Sequence, residues 1–350
     1  MRLPITQSKK MKHLFLICHF SFLMTHFPFA FAAVSETELR QTITQGLDWL
    51  AATQNSRGAW EASDSAYPCA MTGMAGVALL CEGSTPTQGK YSDHIKKAIE
   101  FLLTRSRPNG LIGDPKSDDR YTYGHGFGML FLSQVVGEEE YADHRDEIID
   151  VLTRAVEFTG KAQTREGGWG YVSAADGNNF DEGSTTITQV QALRGCRNAG
   201  IPVPKEIIDR AIKYIHRCSI QDGAGGVQYN IAGGGGRPPI SAAAIACLYN
   251  AGEYDDTYVP KLLTYCDKNL PINEHNDTHW HYAHYYFAQV KYRQGGKEWE
   301  NYRDKIYQKI IDQAASNGSW SQGYIGTVYT TAINLTILQL DKAALPIYQR

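Results

Sequence analysis

Acidic residues fall in two short groups that could carry out acid–base chemistry. Asp181 and Glu182 are adjacent, and Asp119 follows Asp118 on an earlier stretch of the chain. Two carboxylates from different loops could flank a glycosidic bond, one as acid and the other as base or nucleophile. Acids that precede a helix can instead cap it, because helix N-termini favour negative charge. Asp181, Glu182 and Asp119 are therefore the candidate catalytic residues, with helix capping as the alternative.

A third group, rich in histidine, has the composition of a metal site. Asp277 and His279 lie two residues apart, and His281 and His284 follow. Catalytic zinc is commonly held by three protein ligands that donate nitrogen or oxygen. Asp277, His279 and His284 are the ligand set we expect if zinc is a cofactor, with His281 as a substitute for His284. The alternative is that these side chains line the polar mouth of a cavity.

A repeated phrase indicates how the chain positions these groups. Gln, three residues, Gly, one residue and a large apolar residue occur at Gln54–Trp60, Gln163–Trp169 and Gln221–Val227, and shorter versions surround Gly110 and Gly318. Internal repetition at about 50 residues is typical of arrays of identical supersecondary units. We interpret the phrase as architectural: Gly ends a helix with a positive φ, the apolar residue packs between helices, and the Gln amide bonds exposed backbone.

Two kinds of helical segment alternate between these phrases. Six segments carry apolar residues at helical spacing on one face and charges on the other. Six others, at 68–82, 122–136, 184–199, 239–252, 279–294 and 326–340, are apolar or small on nearly every face and are expected to be buried. The alternation predicts an all-α fold, an α6/α6 toroid of six helical hairpins. An open solenoid would need polar terminal repeats, which neither end offers.

The inner helices of such a barrel all begin at one end, so residues near their starts converge on a cavity. Tyrosine, histidine and tryptophan are frequent there. We expect the ligand cavity to be lined by six of these residues, namely Tyr121, Tyr123, His125, Trp280, Tyr285 and Tyr329.

The first 32 residues have the pattern of a secretory signal peptide. Basic residues precede a mostly apolar stretch, and small residues stand at the cleavage position. The apolar stretch is interrupted by polar residues and is short for a membrane span. We expect a cleaved leader, a single toroid domain at 33–350, and a secreted or periplasmic protein without a stable membrane anchor.

The net charge argues against nucleic acid as a partner. The formal net charge is −3, and removal of the leader's four basic residues takes it to −7. A mildly acidic exported protein is poorly suited to nucleic acid.

Six cysteines follow the leader without the tight spacing of a disulfide scaffold. We expect most of them to be buried apolar side chains, with a single bridge as the alternative.

The repeat phrases between alternating helices make the chain resemble terpenoid cyclases and protein prenyltransferases, the squalene cyclase and prenyltransferase toroids. The resemblance covers essentially all of residues 33–350. The ending, with HYYFAQ, GSW, TVYTTA and LPIYQR, resembles secreted bacterial proteins with prenyltransferase/squalene oxidase repeats. The resemblance implies the toroid and a central cavity for an apolar or isoprenoid-like ligand. Repeats identify a fold and say little about a reaction.

The chain departs from that family at the catalytic motifs. Squalene cyclases protonate a double bond with an acid of an Asp-x-Asp-Asp-Thr motif, and the matching stretch here, Glu182–Thr186, places hydroxyls where the paired acids belong. A lone carboxylate has no neighbour to raise its acidity, so cyclase activity is not expected. Prenyltransferases hold zinc partly through an Asp with spacing like that at Asp277–His279, but the His of the next inner helix is missing from Gly326–Thr330.

Three functions therefore remain open for the toroid. The cavity could bind an apolar or isoprenoid-like ligand, the barrel could host a carbohydrate-active enzyme of the α6/α6 type, or it could be a non-catalytic binding scaffold. Thioester chemistry is excluded because no cysteine begins a Cys-Gly-Glu-Gln segment. The glycine run at 233–236 lacks the Lys-Ser/Thr ending of a phosphate loop and is interpreted as a connector.

Overall fold

Twelve helices in the described part of the chain form a closed double ring. The computed structural model describes residues 34–138, 142–177, 179–223, 225–274 and 279–349, which belong to one compact unit. The outer helices are α1 (Glu36–Thr53), α3 (Ser92–Thr104), α5 (Ala142–Ala162), α7 (Lys205–Cys218), α9 (Val259–Asn269) and α11 (Gly296–Asp312). The inner helices are α2 (Pro68–Cys81), α4 (Tyr121–Val135), α6 (Gly183–Asn198), α8 (Pro238–Ala251), α10 (Trp280–Gln294) and α12 (Thr327–Leu338).

The inner ring is closed, because each inner helix contacts the next and α12 contacts α2. The predicted α6/α6 toroid is thereby confirmed. The expected leader and Asp277 lie outside the described residues, so the structure says nothing of either.

Small residues let the inner helices approach each other closely. Every residue of α2 from Cys69 to Cys81 is buried, as predicted for a helix that is apolar on all faces. A Cβ added to Gly73 would lie 2.4 Å from the carbonyl oxygen of Phe127 in α4. The outer helices bury one face only; in α7 this face carries Ile207, Ala211 and Ile215.

The glutamine of the repeat phrase fastens its own turn to the next outer helix. Gln54 Nε2 donates to the carbonyl oxygens of Gly58 and His94, both at 2.9 Å. Gln163 Nε2 donates to those of Gly167 at 2.8 Å and Ile207 at 3.0 Å. His94 and Ile207 lie in the first turns of α3 and α7. Gln221 is exposed, and its side chain reaches only the carbonyl of Ser219 at 3.5 Å.

The glycine of the phrase has a different role from the one we expected. It lies in the turn beyond the outer helix: α1 already ends at Thr53, before Gly58. Gly58, Gly110, Gly167 and Gly318 have φ values of 82°, 91°, 101° and 86°. A Cβ added to any of them would lie only 2.0–2.5 Å from a carbonyl oxygen of the next outer helix. In the same order, these oxygens belong to Lys97 of α3, Arg154 of α5, Arg210 of α7 and Gln45 of α1. Glycine therefore lets each turn contact the next outer helix directly, and Gly318 makes this contact with α1, where the ring closes.

The apolar residue of the phrase, which we call the anchor, ties the turn to the inner helix. Its backbone N–H donates to a side chain of that helix in five repeats: Trp60 to Thr72, Ile112 to His125, Trp169 to Thr186, Val227 to Ser241 and Trp320 to Thr331, at 2.8–3.2 Å. The Trp anchors are buried, and their indole N–H groups donate to carbonyls near the ends of the outer helices. The anchor thus joins the two rings.

The C-terminal segment covers the end of the barrel where the inner helices finish. Leu345, Ile347 and Tyr348 are buried there. The Ile347 N–H donates to Oε1 of Gln134, near the end of α4, at 3.3 Å. The Tyr348 hydroxyl lies 3.0 Å from that of Tyr285 in α10. This segment closes the far end of the barrel.

The described cysteines are buried and unpaired, as most were expected to be. They are Cys69, Cys81, Cys196, Cys218, Cys247 and Cys266. Separately, none of the helices in the described part of the chain combines the length and apolarity needed to cross a membrane.

Candidate functional site

A cavity of about 580 Å³ lies at the end of the barrel where the inner helices begin. This volume is within the range of about 300–1,000 Å³ found for small-molecule sites. Its apolar lining includes Ala70, Met71, Met74, Phe127, Ile240 and Ile333. Its tyrosines are Tyr67, Tyr123, Tyr171, Tyr229, Tyr282, Tyr285, Tyr324 and Tyr329. No Asp or Glu is among the described residues that line it.

The mouth of the cavity is formed by residues that immediately precede inner helices. Tyr67, Arg120, Arg237 and His279 precede α2, α4, α8 and α10, and all four line the cavity. The first backbone N–H groups of a helix have no partner within it, and the helix dipole is positive at that end. The convergence of these helix N-termini therefore favours negative charge at the mouth.

Two arginine–tyrosine stacks form one wall of the mouth. The Arg120 guanidinium carbon lies 4.5 Å from the ring centre of Tyr171, and that of Arg237 lies 4.8 Å from the ring centre of Tyr229. The two tyrosine hydroxyls are hydrogen-bonded to each other. Tyr171 and Tyr229 each stand two residues after an anchor, so the wall is built from the same position of two neighbouring repeats.

Glu182 is fully buried and caps α6. Its carboxylate accepts the backbone N–H groups of Ser184 at 2.7 Å and Thr185 at 2.6 Å, together with the Ser184 hydroxyl. Burial raises the pKa of Glu182, and the hydrogen bonds from Ser184 and Thr185 oppose that effect. The Tyr123 hydroxyl lies 2.5 Å from Ser184 Oγ and donates to Glu182 Oε1 at 3.3 Å. Tyr123 and Ser184, which line the cavity, thus lie between it and the carboxylate.

The other acidic candidates do not line the cavity either. Asp181 is buried and accepts a hydrogen bond from Thr164 Oγ1 at 2.6 Å. Asp119 is exposed. Its neighbour Asp118 is buried, accepts the Arg120 backbone N–H at 2.8 Å, and has a pKa raised by burial. The structure therefore does not bring Asp119 together with Asp181 or Glu182 across the cavity.

Three of the six residues expected in the cavity lining are found there: Tyr123, Tyr285 and Tyr329. Tyr121, His125 and Trp280 are not among the described lining residues. Tyr121 and His125 are four residues apart in α4 and share a helix face that Tyr123 does not. On that face, His125 contacts Thr159 of the outer helix α5, and Tyr121 contacts Ser173 in the connection between α5 and α6.

The side chains of these three residues are occupied elsewhere. The Tyr121 hydroxyl accepts the Ser173 N–H at 2.7 Å. His125 Nδ1 accepts the N–H of the anchor Ile112, and Nε2 lies 3.0 Å from Thr159 Oγ1 of α5. Burial lowers the pKa of His125 to about 3, so the ring is neutral. The buried Trp280 ring packs 4.4 Å from the ring of His284.

The histidines of the expected metal set point in different directions. His279 lines the cavity, with its ring 5.8 Å from that of Tyr324. His281 is buried, with Nδ1 3.1 Å from Asn334 Oδ1 of α12. His284 is fully buried, with Nδ1 2.7 Å from the Tyr302 hydroxyl of α11. No group of three His, Cys, Asp or Glu side chains among the described residues could hold a metal, and Asp277 lies outside them.

The sequence reasoning missed the residues that give the mouth its charge. These are Arg120 and Arg237, with their partners Tyr171 and Tyr229. A signal was present in the chain, since both tyrosines occur two residues after an anchor. Neither arginine belongs to the repeat phrase, although both directly precede an inner helix.

No protein-family model matches the chain. Human lanosterol synthase is 32% identical over 77 residues. That match covers 22% of this chain and about a tenth of lanosterol synthase (10%).

Solved structures show the fold. A type II terpene cyclase from Scytonema, in complex with geranylgeranyl dihydroxybenzoate, superposes with a TM-score of 0.58 at 15% identity over 89% of this chain and 98% of that one. An α-1,6-mannanase of Salegentibacter, in complex with α-1,6-mannotriose, gives 0.61 at 6% identity over 86% and 98%. The predicted resemblance to the terpenoid cyclase toroids is confirmed at the level of the fold, which carbohydrate enzymes share.

Proposed function

We propose that the protein binds an apolar, isoprenoid-like ligand in the cavity and does not act as a class II cyclase. The observation that carries this proposal is the lining itself. Met71, Met74, Phe127 and Ile333 provide an apolar interior, tyrosine rings surround it, and no described lining residue is an acid. Burial of a ligand's hydrocarbon against such a surface is favourable by about 0.8 kcal/mol per CH₂ group.

The position of Glu182 supports binding without cyclisation. Protonation of a double bond requires an acid that reaches the ligand. Glu182 is held by two backbone N–H groups and lies behind Tyr123 and Ser184. The Scytonema cyclase contains an isoprenoid substrate in its complex, and we extend only the class of ligand to this chain.

A carbohydrate enzyme is the second candidate function. It is favoured by the tyrosine rings of the mouth, which could stack on sugars, and by the fold shared with the mannanase. It is disfavoured by the placement of Asp119, Asp181 and Glu182, none of which lines the cavity. A glycosidase needs two carboxyl groups that flank one bond.

Export is a further part of the proposal. It rests on the basic, apolar and small-residue regions of the first 32 residues. The ligand would then be met outside the cytoplasm, in the periplasm or the medium.

Calorimetric titration of the purified protein with farnesol, geranylgeraniol and α-1,6-mannotriose tests the proposal. We expect saturable binding of the two isoprenoid alcohols, one per chain, and their recovery unchanged by mass spectrometry and chromatography. Ile333→Trp should weaken binding at least about tenfold by filling the cavity. Its matched control is Ile149→Trp, at an exposed position of α5, which should bind like the unmodified protein.

Two results would contradict this reasoning. Cyclised products would show that an acid reaches the ligand after all. Binding of mannotriose in preference to the alcohols would support the carbohydrate alternative. So would a hydrolytic activity that is lost, together with mannotriose binding, in Asp181→Asn.

A further inference from the structure

Arg120 and Arg237 are the only described Asp, Glu, Lys or Arg residues that line the cavity. A binding site for a wholly apolar molecule gains nothing from two guanidinium groups at its mouth. Both residues are exposed, so both can reach a ligand that enters from solvent. The apolar interior does not account for these two arginines, so they indicate a second, polar part of the ligand.

The stacking geometry holds the guanidinium groups in place. Each lies over the face of a tyrosine, Arg120 over Tyr171 and Arg237 over Tyr229. A guanidinium over a ring face is attracted to the ring as a cation, and its N–H donors remain able to bind an anion. The hydrogen bond between Tyr171 and Tyr229 joins the two stacks into one wall.

The nearby acids do not neutralise these arginines by direct pairing. The arginine salt bridges found within the described residues involve other arginines. Asp118 accepts the backbone N–H of Arg120, and Glu182 is occupied as a helix cap. Asp119 acts on Arg120 through space, but it is exposed to solvent, which weakens its field, and it forms no ion pair with Arg120 among the described residues.

The local backbone adds to the positive potential. Arg120 and Arg237 directly precede α4 and α8, so the positive ends of two helix dipoles lie beside the two guanidinium groups. An anion at this wall would be attracted by four features at once, although the whole chain is mildly acidic. Planar guanidinium donors match the oxygens of carboxylate and phosphate groups.

We propose that Arg120 and Arg237 bind the anionic head of the ligand, so that the ligand is an amphiphile with a carboxylate or phosphate at the mouth and its apolar tail toward Met74 and Ile333. This inference rests on the proposed function, since it assigns the second end of the same ligand.

Farnesol, farnesoic acid and farnesyl monophosphate share one hydrocarbon tail and differ only in the head group. Comparison of their affinities therefore separates the effect of the head from that of the tail. We expect the better of the two anions to bind at least about tenfold more tightly than the alcohol, as charge-assisted hydrogen bonds contribute more than neutral ones. The preference should fall as salt is raised. Comparison of the acid with the phosphate identifies which head the wall accepts.

Variants link the preference to the wall. In the double variant Arg120→Gln with Arg237→Gln, the anions should bind no more tightly than farnesol. The matched control is Arg293→Gln, because Arg293 also lies over a tyrosine, 5.5 Å from the ring of Tyr254, but does not line the cavity. The double variant Arg120→Lys with Arg237→Lys keeps both positive charges and should retain part of the preference for anions. It thereby checks that the loss of this preference in the Gln variant is not due to misfolding.

The outcomes distinguish failure of this inference from failure of the proposed function. Equal binding of the alcohol and both anions by the unmodified protein would overturn this inference and leave apolar binding intact. An anion preference that persists in the double Gln variant, or disappears in Arg293→Gln, would also overturn it. If none of the three probes binds, the proposed function fails, and this inference fails with it.

Discussion

Replacement of Gln163 by alanine would test whether the repeat phrase is architectural. The side chain is buried, and its amide group donates to the carbonyls of Gly167 and Ile207, which joins the turn to α7. A neutral hydrogen bond contributes about 1 kcal/mol net, so the loss of two should lower the free energy of unfolding by roughly 2 to 3 kcal/mol once the vacated space is included. With an unfolding entropy of about 2.1 cal/mol/K per residue, a chain of this size loses about 1.5 °C per kcal/mol, so the melting temperature should fall by roughly 3–5 °C.

The same phrase supplies a matched control. Gln221 occupies the equivalent position, but it is exposed and lacks the two short hydrogen bonds, so Gln221→Ala should change the free energy of unfolding by less than about 0.5 kcal/mol. Urea unfolding followed by circular dichroism, with calorimetry for the melting temperature, measures both variants. Gln163→Glu should be at least as destabilising as Gln163→Ala, because a carboxylate cannot donate to the two carbonyls. Equal effects of Gln163→Ala and Gln221→Ala would refute the reasoning.

Three further predictions concern acid sensitivity, the thiols and the leader. Burial lowers the folded pKa of His125 to about 3, so its contribution to stability is complete above the unfolded pKa of about 6.5 and is lost as the pH falls toward the folded value. The variant His125→Thr introduces the residue that other repeats use at this place. Between about pH 7 and pH 4, its free energy of unfolding in urea titrations should fall by a few kcal/mol less than that of the unmodified protein. Equal losses in the two proteins would contradict this. Burial raises the pKa of Cys69, Cys81, Cys196 and Cys218 to about 12, so a thiol reagent should label the purified protein only after denaturation, and rapid labelling of the native protein would show otherwise. If the leader is cleaved, the intact mass of the mature protein should lack residues 1–32, and a mass that includes them would disprove cleavage.

The architecture could be predicted because each of its signals is local. The inner segment expected at 184–199 is found as Gly183–Asn198. The outer helices are recognisable from their periodicity and the inner ones from apolar or small residues on every face. The phrase spacing also predicted the anchors. It could not show that Gln163 and Gln221 would differ, because this depends on whether the next outer helix comes within hydrogen-bond distance.

The site was less predictable because a helix that is buried on all sides does not reveal which face lines a cavity. Tyr121, Tyr123 and His125 occur within one and a half turns of α4, yet only Tyr123 lines the cavity. The position of His125 could have been inferred from the repeat, since Thr72 and Thr331 are also the fifth residues of their inner helices and also bind an anchor N–H. His284 has the same place in α10, which accounts for its contact with α11 rather than with the cavity.

The contact of Gly318 with α1 has a consequence for how the chain folds. The turn before the last inner helix packs on Gln45, near the start of the described chain, so the ring is complete only when nearly the whole polypeptide is present. Until then the first and last hairpins expose α2 and α12, helices that are apolar on every face and have no partner on one side. Contacts between such distant parts of a chain slow folding and leave apolar surface open to aggregation. The interval between formation of α2 and docking of α12 is therefore the stage of folding that exposes the most apolar helix surface.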